Sequence, residues 1–196
     1  MEPARHDSQR PSQVERLVFH EVDHSRWGDL VRLVESRGGP KHCWCMVWRA
    51  TPQESRKTDS KSRKAALKRR VGGSVPVGIL GYLDGEPVTW CSIAPRPTYR
   101  DLGGKHAATD DPEKVWSLVC FFATRGLRGQ GVMRRLIGAA VEHARKSGAT
   151  VVEAYPVKPD SPSYRFMGFI PSFKTAGFRE VGRAGTRRHV MRLLLK

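Results

Sequence analysis

The stretch VWSLVCFFATRGLRGQGVMRRLIGAAVEHARK, residues 115–146, decides how the rest of the chain is read. Residues 115–123 are apolar on both alternating sets and rich in β-branched and aromatic side chains. A run that short reads as a buried strand. A basic, glycine-rich link follows over residues 124–131, and from Val132 the period becomes helical. Val132, Leu136, Ala139, Ala140 and His143 fall at i, i+4, i+7, i+8 and i+11, and the pattern stops at Lys146, Ser147 and Gly148. A strand, a glycine loop and a helix start in that order make an anion cradle, because the first turn of a helix offers unpartnered N–H groups at its positive end. Gly129 and Gly131 let a phosphate approach those donors, and Arg125, Arg128, Arg134 and Arg135 add cationic reach. The loop is neither a GxxxxGK(S/T) phosphate loop nor a three-glycine dinucleotide fingerprint.

Upstream, residues 77–83 and 87–94 are two β runs around Asp84-Gly85, a strong hairpin signal. Residues 15–22 form a first strand, and Asp23 or Ser25 is positioned to cap a helix carrying Trp27, Leu30, Val31 and Val34 that ends at Gly38-Gly39-Pro40. The segment HCWCMVWR, residues 42–49, is either a pocket wall, together with Trp90 and Cys91, or a short core segment. Residues 51–73 are the most basic block, with one short apolar stripe at Ala65, Ala66, Leu67 and Val71. This block reads as a helical insertion: a solvated face, a phosphate-contacting arm or a lid. Residues 95–113 form a long loop with Asp101, Asp110 and Asp111. Downstream, residues 149–155 supply a strand parallel to 115–123 through a right-handed helical crossover. Two closing strands follow at 179–182 and 188–195.

A chain of 196 residues supports one domain, expected over 15–196 after a disordered polar tail at 1–14. The formal net charge of +16 argues for an anionic partner, whether cofactor phosphates, an acidic substrate or a nucleic acid. No apolar run is long enough to span a membrane and the first residues lack a secretory core, so no membrane partner and a cytoplasmic location are expected. Four cysteines, Cys43, Cys45, Cys91 and Cys120, do not make a disulfide framework in that compartment. Cys43-Trp44-Cys45 has no second ligand pair downstream, so no metal is expected.

Arg128-Gly129-Gln130-Gly131-Val132-Met133 resembles the (Gln/Arg)-x-x-Gly-x-(Gly/Ala) loop of the GNAT superfamily of N-acyltransferases, with Met133 where Gly or Ala is usual. Phe173-Lys174-Thr175-Ala176-Gly177-Phe178 resembles the Tyr-x-x-x-Gly-Phe ending of that family, a helix leading into the last hairpin, with Phe173 in the tyrosine position. An earlier copy, Tyr164 to Gly168-Phe169, keeps the tyrosine but is followed by Ile170-Pro171 rather than a strand. The resemblance implies an α/β (α+β) single domain: a mixed, largely antiparallel twisted sheet with flanking helices and a central parallel strand pair that splays apart.

It further implies that Phe121, Phe122 and Ala123 hold pantetheine. Arg128, Gly129, Gln130, Gly131, Val132, Met133 and Arg134 would then hold the pyrophosphate of acetyl-CoA or another acyl-CoA. The chemistry needs a neutral amine, a proton for the leaving thiolate and donors for the developing oxyanion. The strand before the loop has no carboxylate, so Glu153 is the candidate base, with Tyr155 and Tyr164 as candidate acids. The expected activity is transfer of an acyl group, acetyl first, to a small-molecule amine or amino-acid-like acceptor. Two alternatives stand beside it. One is the same fold taking its acyl group from aminoacyl-tRNA or a carrier protein; the other is a non-catalytic basic nucleic-acid-binding protein. The sequence leaves the oligomeric state open.

Overall fold

The computed structural model describes residues 12–104 and 111–195. Its strands are β1 (Val18–Glu21), β2 (Ile79–Leu83), β3 (Glu86–Pro95), β4 (Val115–Ala123), β5 (Val151–Ala154), β6 (Arg179–Ala184) and β7 (Arg188–Leu194). They form one seven-stranded sheet in the order β1-β2-β3-β4-β5-β7-β6. Only β4 and β5 pair in parallel; the other pairings are antiparallel. The helices are α1 (Trp27–Glu35), α2 (Pro52–Ser55), α3 (Ser60–Gly72), α4 (Val132–Lys146) and α5 (Ile170–Thr175). The β2–β3 turn carries positive φ at Asp84 (51°) and Gly85 (85°), the pair of left-handed residues whose twist matches a two-residue hairpin.

Two apolar layers sandwich the sheet. Leu136, Ile137, Ala140 and Ala144 of α4 and Phe173 of α5 cover Trp116, Leu118, Phe121, Val152 and Ala154. On the opposite face Leu30, Leu33 and Val34 of α1, Ala66, Leu67 and Val71 of α3, and the 44–48 segment cover Leu80, Trp90, Val119, Cys120 and Tyr155. The side chains of β4 therefore alternate between faces up to Leu118, but Val119 and Cys120 both join the second layer. The cause is a bulge: Ser92 pairs with Cys120 and Ile93 with Leu118, leaving Val119 as an extra residue.

The first strand is shorter than the expected 15–22. Residues 12–16 turn instead, with Ser12 and Glu15 exchanging hydrogen bonds of 2.7 and 3.3 Å. Val14 and Leu17 are buried against Leu127 and Val132, and the Arg135 guanidinium donates to the carbonyls of Val14, Glu15 and Leu17. Ordered packing thus reaches into the stretch 1–14 expected as a tail, whose first eleven residues lie outside the described residues, as does Asp110 of the long loop. Neither Asp23 nor Ser25 is the N-cap of α1, which starts after Arg26; Asp23 accepts the Arg26 N–H at 3.0 Å and the Ser25 hydroxyl at 2.6 Å instead.

Residues 42–49 are mostly core. Trp44, Cys45, Met46, Trp48 and Arg49 are buried, with Trp44 and Cys45 in left-handed backbone. Arg49 donates to the Val77 carbonyl (2.9 Å), the Ser92 hydroxyl (3.1 Å) and the Tyr99 hydroxyl (2.6 Å), so a buried cation ties this segment to β3 and the loop beyond it. The basic block 51–73 is fastened to the body. Thr51 and Glu54 form a capping box on α2, and the Glu54 carboxylate receives Arg70 at 2.7 Å and Arg69 at 3.0 Å. Arg70 also donates to the Arg49 carbonyl at 2.8 Å.

Hydrogen bonding from Arg70 holds the Glu54 carboxyl at about 2, below its ordinary 4.5. A carboxyl depressed in the folded state stabilises it above the unfolded pKa and loses that contribution as pH falls through the folded one. Glu54→Gln should therefore remove a stability loss between about pH 4.5 and pH 2, read by denaturant unfolding at each pH. An unchanged acid limb would show that the clamp contributes nothing.

Candidate active site

The parallel pairing of β4 and β5 ends at Leu118↔Ala154. From Val119 to Ala123, β4 keeps β3 on one side and has no strand partner on the other among the described residues. The continuation of β5 turns away: the Pro156 carbonyl accepts the His189 N–H at 2.9 Å, and Val157 exchanges hydrogen bonds with Gly168 and Ile170 at 3.0 Å each. Gly168 and Ile170 thus occupy the flank of β5 that would otherwise extend the pairing with β4. The result is a gap beside Phe121, Phe122 and Ala123 on the edge of β4 turned away from β3.

At the end of β4 the glycine loop leads into α4. Gly131 is its N-cap with φ 84° and no side-chain cap, and Gly129 has φ 78°. A Cβ at either glycine would meet nothing within 4 Å, so glycine is needed here for the left-handed backbone and the space above is open. The N–H groups of Val132 and Met133 begin the helix without intrahelical acceptors. Gln130 turns back to the Gly126 carbonyl at 2.6 Å and Arg128 to the Ala123 carbonyl at 3.0 Å, which fixes the loop against the strand end. Met133 packs toward the α4–α5 core rather than over the loop, while Arg134 is exposed. A cleft of about 550 Å³ opens beside the loop, lined by Phe122, Thr124, Arg125 and Arg128 together with Arg37 and Gly38 from the end of α1. Arg37 was not legible as a site residue, since a cation at a helix end is ordinary dipole compensation.

The three candidate acid–base residues fall into two groups. Glu153 is fully buried on the face opposite α4. Its carboxylate accepts Arg192 Nε at 2.5 Å, lies 3.7 Å from Arg96, and receives the Tyr155 hydroxyl on its other oxygen. Burial, and then the Glu153 charge, push the Tyr155 phenol well above its ordinary range. Tyr164 stands apart from this network, 37% exposed, its ring centre 6.2 Å from that of Trp48. The Arg188 guanidinium lies over both rings, 4.6 Å from Trp48 and 5.3 Å from Tyr164. Trp48 was singled out with its segment, whereas Arg188 was not.

Cys120 is a buried thiol, raised well above its ordinary pKa by its hydrogen bond to Cys45 and by burial. Cys45 in turn accepts the Trp90 indole N–H at 3.1 Å. Among the described residues no group of three or more His, Cys, Asp or Glu side chains is arranged to hold a metal.

A strand pair that opens at a bulge, followed by a glycine loop capping a helix, defines a member of the GNAT acetyltransferases, and residues 42–169 match the family model for GNAT acetyltransferases. That match covers more than half of the chain, which belongs to this family. Solved structures share the fold. The yncA protein of Salmonella typhimurium, with its cofactor acetyl-CoA, is 15% identical, with TM-score 0.54 over 92% of this chain and 95% of its own. AAC(6')-Ib in complex with ribostamycin and coenzyme A is 20% identical, with TM-score 0.60 over 91% and 93%. The ribosomal-protein-alanine N-acetyltransferase of Brucella melitensis is 18% identical, with TM-score 0.52 over 91% and 99%. Among curated proteins none matches the sequence.

Removing one partner of a buried ion pair costs about 3–5 kcal/mol. Glu153→Gln should lie in that range in urea unfolding, because the carboxylate is fully buried and both guanidiniums near it are largely so. A loss below about 1 kcal/mol, the scale of exposed pairs, would show that the network is solvated.

Proposed function

We propose that the protein transfers an acetyl group from acetyl-CoA to the amine of a small molecule. The observation that carries this reading is the unpartnered edge of β4 from Val119 to Ala123 running directly into the glycine-capped start of α4. The groups present fit acetyl-CoA. The edge of β4 turned away from β3 along Phe121, Phe122 and Ala123 matches an amide-bearing pantetheine chain. The open αL turn at Gly129 and Gly131, the first N–H groups of α4, and Arg37, Arg125, Arg128 and Arg134 match its phosphates. Bound there, acetyl-CoA supplies an activated acyl carbon.

The chain's own residues then align an amine with that carbon. The amine lone pair forms the new C–N bond, the C–S pair returns to sulfur, one proton passes from nitrogen to solvent water and one reaches sulfur. Tyr164, partly exposed beside Trp48 and outside the buried network, is our candidate for the proton at sulfur. Glu153 and Tyr155 are committed to each other and to Arg192, so we assign them to holding the gap open beneath the reacting groups. The alternative donors, aminoacyl-tRNA or a carrier protein, drew on Met133 and on net charge; the inward packing of Met133 weakens the first of these.

Calorimetry at physiological ionic strength should give one-to-one binding of acetyl-CoA, with Gly131→Trp weakening it by about tenfold or more through loss of the loop's donors. Tyr164→Phe should keep that affinity and lower kcat by roughly a hundredfold, the lower range of general acid catalysis. Absence of acetyl-CoA binding by the unmodified chain would overturn the donor, and full activity of the Tyr164 variant would overturn the acid.

A further inference from the structure

We propose that the acceptor amine carries an anionic group, a carboxylate, and that Arg188 receives it on the face of the sheet opposite α4; this rests on the acyl-transfer reading above. Arg188 begins β7 and is about half buried, and burial pulls its pKa down. One of its nitrogens donates to the Leu102 carbonyl at 2.7 Å, and its flat faces meet Trp48 and Tyr164. Among the described residues no carboxylate stands within ion-pair distance of it. Asp101 acts on it from further off and spends one oxygen on the Gly103 N–H at 2.7 Å.

The contrast with Arg192 is informative. Positions 188 and 192 of the same strand point to the same side of the sheet. Arg192 has the buried carboxylate of Glu153 at 2.5 Å, a counter-ion inside the fold. Arg188 has one carbonyl and two aromatic faces for a group with five N–H donors in a fixed fork. Such a cation, held rigid and partly desolvated, is built to receive a planar anion. The same wall holds a second donor without an acceptor, the buried Trp48 indole N–H.

The position suits an acceptor. Trp48 belongs to the same apolar layer as Val119 and Cys120 of β4 and Tyr155 just beyond β5, where the two strands part. Arg187 flanks the site, donating to the Ser163 hydroxyl at 3.0 Å. An aminoglycoside such as ribostamycin, a polycation at neutral pH, would meet like charge there. An amine bearing a carboxylate, as an amino acid does, would find its counter-ion.

The full chain is tested with the standard amino acids against their α-amides as acceptors of acetyl from acetyl-CoA, followed by thiol release. At least one acid should be acetylated with kcat/KM about tenfold or more above its amide. Arg188→Gln should bring that ratio to within about threefold, chiefly through KM, and Arg188→Lys should restore part of it. Amides or polyamines accepted as well as acids, no acid accepted, or a ratio unchanged in Arg188→Gln would each overturn the proposal. A second arm titrates N-acetyl amino acids and their amides without CoA, by tryptophan fluorescence, in the unmodified chain and in Arg188→Gln. Selective binding of the acids, lost in the variant, supports the carboxylate site; equal response to acids and amides overturns it. If acetyl-CoA fails to bind in calorimetry, the transfer reading falls and this second arm still decides the site.

Discussion

Everything at the centre of the molecule depends on the parting of β4 and β5 after Leu118 and Ala154. A sheet satisfies its backbone by pairing, and an unpaired strand edge in the middle of one is unstable unless the geometry enforces it. Two features do so here. The Val119 bulge changes the phase of β4, turning two consecutive side chains to one face and increasing its local twist. The Val157 N–H donating to the Gly168 carbonyl, and its carbonyl accepting the Ile170 N–H, satisfy the flank of β5 that β4 leaves. Gly168 is part of that device: with φ 83°, a Cβ there would come within 2.9 Å of the Phe173 ring.

The elements of the fold were largely legible in the sequence, because each has a local cause. The switch from an apolar run to a 3.6-residue period located β4 and α4, and the Asp-Gly pair located the β2–β3 hairpin. The second Phe-x-x-x-Gly-Phe copy was rightly taken as the helix before the last hairpin, since α5 ends at Thr175 and β6 begins at Arg179. The bulge was hidden for a physical reason: a strand buried on both faces has no polar alternation, so a one-residue slip leaves no trace. The start of β1 was misjudged because Leu17 looks like a strand residue, while its burial, like that of Val14, comes from Leu127 and Val132, far along the chain.

The site was legible in part, and its arginines least of all. With 35 Lys and Arg in the chain, no single one stands out by composition. Their roles are set by what they meet across long separations. Arg49 reaches β3 and Tyr99, and Arg192 reaches Glu153 at a separation of 39 residues. Glu153 drew notice as the candidate base, and the structure pairs its carboxylate with Arg192 and Tyr155. Its arginine partners were beyond what spacing reveals.

These arginines divide the positive charge into compensated and uncompensated portions, and that division carries more information than the total. Arg192 faces a buried carboxylate and Arg70 faces Glu54, whereas Arg49 is held by neutral oxygens and an aromatic face alone. Among those without an ion pair in the described residues are Arg37, Arg125 and Arg128 around the cleft at the end of β4, and Arg188 against Trp48 and Tyr164. Two anionic substrates brought together in one unsplit basic groove would repel each other and compete for the same cations. Separate groups of cations, one at the cleft and one at Trp48, allow both to be held at once, with only the reacting carbon and nitrogen meeting in the gap. On the acyl-transfer reading, the opening in the sheet therefore has an electrostatic purpose beyond access: it keeps the charged ends of donor and acceptor apart while their neutral ends meet.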